Sequence, residues 1–216
     1  PDTESVAEAT VTSTTDNTTV VVKYQQATED VKETKTVTRT IKYVDKANET
    51  KEVADSVTQT VELTRTNKRN KVTGEVTEGD WSTGTWGSQT SPKVTNYDAP
   101  DKATVAEATV TSTTTDTTEV VKYPQATEDV VENKTITRTI KYVDATDETT
   151  EVATPVTQTV ELTRTNKRNK VTGEVTEGTW STGTWATQVS PTVTNYDAPD
   201  TESVAEATVT STTDNT

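Results

Sequence analysis

A chain with no histidine and no cysteine assembles neither a Ser-His-Asp triad nor a thiol nucleophile, and it has no imidazole base. Paired carboxylates such as Glu29 and Asp30 remain, but they lie in the polar stretch QQATEDVKETK, without an apolar wall to raise a pKa. The chain therefore reads as a non-enzyme, with no catalytic residue and no cofactor. Three other constellations could hold a ligand. Asp144, Asp147 and Glu148 offer oxygen ligands to calcium, but the EF-hand glycine and spacing are missing, and a solvated hairpin connection is the favoured reading. Arg65, Lys68, Arg69 and Lys71 recur as Arg164, Lys167, Arg168 and Lys170. On an acidic chain this cluster is the one place for an anionic ligand such as a sialylated or sulfated glycan; the alternative is a charged loop that protects an edge strand. The third is aromatic. WSTGTW sets Trp81 and Trp86 with four residues between them, repeated at Trp180 and Trp185. An exposed pair would be a sugar-stacking platform. In a chain without Phe or Met, tryptophan is also the only large filler available, so Trp81 and Tyr97 are expected in the core, while Trp86 and Trp185 stay open between core and ligand contact.

These residues recur because the whole chain recurs. Pro1, Pro100 and Pro199 open the same phrase, a period of 99 residues, and residues 1–99 match 100–198 at 78 of 99 positions. A unit of that length is a small domain, so the chain is a tandem array and not a solenoid. Residues 199–216 repeat 1–18 without a change.

Composition alone points toward disorder: Val, Leu and Ile make up about a sixth of the residues, and net charge is −14. Roughly a quarter of the chain is threonine, however, with only seven glycines and seven prolines. Alternation decides for strands. In TVTRTIKYVD, Val37, Ile41 and Tyr43 fall on one face, which Arg39 interrupts; in VTQTVELTRT, Val57, Val61 and Leu63 oppose threonines. KANETKEVADS between them reads as an exposed connection. VTGEV is a strand with a glycine or a tight turn, WSTGTW a hairpin setting Trp81 opposite Trp86, and VAEATV at most one helical turn. TTVVVKY (residues 18–24), matched at 117–123, is a closing strand, and QQATEDVKETK is the expected linker. No 18-residue apolar run offers a membrane span, and the acidity argues against nucleic acid.

The phrases KTVTRTIKYVD, VTQTVELTRT, KVTGEVTEGDW, TSPKVTNYDAPDKATV and TTVVVKY, in that order and twice over, resemble the mucus-binding repeats of lactic-acid-bacterial surface adhesins. The resemblance implies small β-grasp (ubiquitin-like) domains, an extracellular position on a cell wall anchored through regions elsewhere, and host mucin glycans or immunoglobulins as partners. With it, the expected fold is mainly β (α+β at most), in an elongated tandem array. The expected function is weak, multivalent binding of mucus glycoproteins, with a non-binding stalk as the alternative. The expected frame assigns 1–24 to the last strand of a preceding repeat, 25–123 to the first domain, and 124–216 to a second that lacks its last strand. Neighbouring repeats would then pair head to tail, residues 20–24 of one chain completing the sheet of the next.

Overall fold

The computed structural model describes residues 1–216. The chain is all-β and divides into two compact units, residues 1–93 with 99–123 and residues 94–98 with 124–216. Residues 1–27 contain no strand.

The first unit is built on one long hairpin, β1 (Thr28–Asp45) and β2 (Asn48–Asn70). Alternation sets its register: Val37 lies opposite Val61 and Ile41 opposite Val57, so the apolar residues of both strands share one face. The strands are longer at both ends than the sequence pattern suggests. KANETKEVADS is not a loop; the connection is Lys46 and Ala47 alone, fixed by the Ala47 N–H donating to Asp45 Oδ1 at 2.8 Å. QQATEDVKETK is not a linker either, because β1 starts at Thr28. Cross-strand ion pairs replace the missing apolar alternation in that half. β3 (Val76–Thr77) folds back on β2 through a turn in which Gly74 takes φ 76°, a left-handed conformation that side chains disfavour. This is the tight-turn reading of VTGEV.

Four short strands cover the apolar face. β4 (Gly84–Trp86) pairs with β7 (Ala108–Val110), and β5 (Gln89–Thr90) with β6 (Thr104–Val105). VAEATV thus forms strand and no helical turn, since Val105 and Val110 are both buried against these partners. The WSTGTW hairpin also does not form: Trp86 lies opposite Ala108, across the long excursion that separates β4 from β7. β8 (Thr117–Tyr123) then runs parallel to β1, Tyr43 beside Val121, giving the order β3-β2-β1-β8. The core is Val37, Leu63, Trp86 and Val110, with Val61, Trp81 and Ala108 against it.

The second unit repeats the plan. β9 (Thr127–Asp144) and β10 (Asp147–Asn169) form the hairpin and β11 (Val175–Thr176) its edge. β12 (Gly183–Trp185) pairs with β15 (Ala207–Val209), and β13 (Gln188–Val189) with β14 (Ser203–Val204). Ile136, Leu162, Trp185 and Val209 form its core. Where β8 begins on β1 in the first unit, Thr216 exchanges backbone hydrogen bonds with Thr137 and Thr139.

Candidate functional site

The aromatic constellation is a core feature. Trp86 and Trp185 are only 4% and 5% exposed, so the stacking alternative for these two rings is overturned: each is enclosed by its sheet and its covering strands. Trp81 and Trp180, the pair expected deeper, are only partly buried. The order reverses because Trp86 belongs to a strand that covers the sheet, whereas Trp81 lies outside any strand. Tyr97 is half-buried, bridged to Gln125, and its copy Tyr196 is exposed. The core tyrosines of the first unit are instead Tyr43 and Tyr123, fully buried and in edge-to-face contact at 6.3 Å. Burial raises the pKa of both hydroxyls.

Arg39, which breaks the apolar phase of β1, is 4% exposed and holds the two layers together. Its guanidinium donates to Gln59 Oε1, to the Ala106 carbonyl at 2.8 Å and to the Gly87 carbonyl at 2.8 Å. It also lies over the Trp86 ring, 5.4 Å from the centroid. Arg138 repeats the arrangement with Gln158, Ala205, Ala186 and Trp185. A cation at an apolar phase in both copies is the signal by which the sequence marks this clasp.

The basic cluster lies on the distal part of the hairpin and is engaged with carboxylates. Arg65 donates to Glu33 at 2.7 Å and to Glu78 at 2.7 Å, with its guanidinium over Trp81 at 4.9 Å. Lys68 pairs with Asp30, and Arg69 with Glu29, each directly across the register. The second unit matches: Arg164 with Glu132 and Glu177, Lys167 with Asp129, Arg168 with Glu128. Lys71 and Lys170 stand outside these pairs. The hydrogen bonds from Arg65 and Asn67 hold the Glu33 pKa below the ordinary range, and those from Arg164 and Asn166 do the same to Glu132. An anionic ligand would have to displace these carboxylates.

The acidic residues close a turn. Asp144 Oδ1 accepts from the Thr146 N–H and hydroxyl, Asp147 accepts from Thr149 and Thr150, and Tyr196 donates to Asp144 at 3.1 Å. These bonds lower both aspartate pKa values and occupy the oxygens that a calcium ion would use; Glu148 is exposed and adds no further contact.

Two successive all-β units, each a long hairpin roofed by short strands, define the class as a tandem-repeat β protein. Residues 28–127 and 127–216 each match the Muc B2-like domain, and the chain belongs to that family. Among solved structures it is similar to the mucin-binding domain of Spr1345 from Streptococcus pneumoniae, at 44% identity over 45% of this chain and 97% of that one, with a TM-score of 0.44. A MucBP domain of LBA1460 from Lactobacillus acidophilus is 27% identical over 46% and 100%, TM-score 0.41. The type 2 repeat of the mucus binding protein MUB from Lactobacillus reuteri is 28% identical over 46% and 59%, TM-score 0.39. A comparison with curated proteins returned no match. No helix is long and apolar enough to cross a membrane.

Proposed function

We propose that this chain is a tandem segment of a bacterial cell-surface adhesin that binds host mucus glycoproteins weakly and gains strength by repetition. The observation that carries the reading is the membership of both repeats in the Muc B2-like family. Its role is binding and not catalysis, its place is extracellular, and cell-wall anchoring is supplied by other regions. The repeat frame we propose is 25–123 and 124–216; the parallel seat of β8 on β1 supports it, because that strand completes the sheet begun at Thr28. Residues 1–24, which largely repeat 100–123, belong in this frame to a preceding repeat.

Multivalency makes the experiment direct. Two linked weak sites raise apparent affinity by roughly 10²–10⁴ where the geometry allows both to engage. Retention on immobilised mucin should therefore be much longer for residues 25–216 than for 25–126. Absence of retention for both fragments at high concentration would remove the adhesive role and leave the stalk.

A further inference from the structure

We propose that the first repeat carries a groove for a neutral, hydroxyl-rich ring such as a hexose, set between the bulged end of the hairpin and β5. The proposal deepens the mucus-glycoprotein reading and rests on it for the class of ligand. The hairpin loses regular register between Ile41 and Asp45, and such bulges bend a strand away from its neighbours. A groove of about 360 Å³ opens there, at the lower end of the range of small-molecule sites, roughly 300–1,000 Å³.

Its base is held rigidly. Tyr43 is 1% exposed and contacts Tyr123, whose hydroxyl donates to the Pro92 carbonyl at 2.7 Å. Tyr123 therefore ties the aromatic floor to the Pro92 wall. The Tyr43 hydroxyl is buried. Gln89 lies beside it, with its amide Nε2 engaged by the Thr90 carbonyl at 3.0 Å. Val57 and Pro92 offer apolar surface, while Asp55, Gln89 and Thr90 line the groove with a carboxylate, an amide and a hydroxyl. Apolar surface beside convergent polar groups suits a ligand with a C–H face and a rim of hydroxyls.

Charge selects among such ligands. Asp55 makes no ion pair, unlike the cations of the basic cluster, so its oxygens are free to accept from hydroxyls. On a chain of net charge −14, a carboxylate in the groove repels sialylated or sulfated sugars. The second repeat supplies an internal comparison. Tyr142, Val156, Gln188 and Pro191 keep their places 99 residues on, but Thr154 replaces Asp55 and Val189 replaces Thr90. The apolar wall and the glutamine are shared but the carboxylate and the Thr90 hydroxyl are not, so the site belongs to the first repeat.

The test titrates the whole chain with methyl β-galactoside, and separately with N-acetylneuraminic acid, while backbone amide resonances are followed by NMR. Saturable shifts at Tyr43, Asp55 and Gln89 are expected with the galactoside, with a Kd on the order of millimolar for so open a site. Asp55→Thr with Thr90→Val installs residues the second repeat already accommodates, and should weaken this binding roughly tenfold or more, the effect of one lost charge-assisted hydrogen bond. No saturable shift by about 50 mM, an unchanged response in the double variant, or an equal response to N-acetylneuraminic acid would overturn the groove. Retention of the same two proteins on mucin separates the two ideas. Equal retention of both refutes the groove as the mucin site and leaves the adhesin standing. Galactoside binding without any mucin retention upholds the groove and refutes the adhesin.

Discussion

Trp86→Ala tests the core assignment most directly. The indole closes the cluster of Val37, Leu63 and Val110 at 4% exposure, and a buried aromatic covers about 150–250 Å², or about 4–6 kcal/mol at ~25 cal/mol per Å². Loss of the Arg39 contact adds to this, by about 0.5–2 kcal/mol. The indole Nε1 is buried without a partner, so deleting it recovers about 1–3 kcal/mol of desolvation penalty. The terms leave a net loss of about 1.5–7 kcal/mol, centred near ~4, within which fall the roughly 3–5 kcal/mol of aromatic-to-alanine changes in other cores. Trp81→Ala should cost about 1–2 kcal/mol, because Trp81 is only partly buried and the partners Glu33 and Glu78 keep Arg65 in place. Thermal unfolding followed by far-ultraviolet circular dichroism should show one transition fall by on the order of 15 °C in the Trp86 variant, while the other, from the second unit, stays. A loss below about 1 kcal/mol, or a smaller loss than that from Trp81→Ala, would refute the reasoning.

Gly79→Ala should cost about 2–3 kcal/mol, because its Cβ would stand 2.2 Å from the Thr66 carbonyl oxygen; Gly74→Ala, with open space around it but φ 76°, should cost about 1 kcal/mol, and urea midpoints that reverse this order would count against the packing. Acid should loosen the distal hairpin: Glu33 and Glu132 have folded pKa values below their unfolded ones, so their contribution is present above the ordinary value near ~4.3 and is lost as pH falls through the depressed folded values. Glu33→Gln with Glu132→Gln should therefore flatten the dependence of Tm on pH below about 4, and an unchanged slope would show that the pairs contribute nothing. At the alkaline end the sign is opposite: Tyr43 and Tyr123 are raised by burial, so stability is full below about pH 10 and falls as pH rises toward the folded values, a loss that Tyr123→Phe should reduce.

The sequence by itself determined the period, the tandem plan and the two amphipathic strands at the centre of each hairpin. Those are properties of local alternation: Val37, Ile41, Val57, Val61 and Leu63 must share a face once they are in strands. The absence of histidine and cysteine was equally plain, and it removed the familiar catalytic chemistries before any fold was known. Only the tertiary structure decided how far the hairpin extends. Residues 28–35 have little apolar alternation, and they become strand because Glu29, Asp30 and Glu33 meet Arg69, Lys68 and Arg65 across the register. It also decided which tryptophan is core. Trp81 and Trp86 are equivalent as local sequence, but burial depends on what closes over each ring, and Trp86 is placed by Ala108 and Val110, more than twenty residues away. The groove at Tyr43 belongs to the same class: Asp55 and Gln89 are 34 residues apart in the chain, and a bulge with no sequence signature of its own brings them to one cavity.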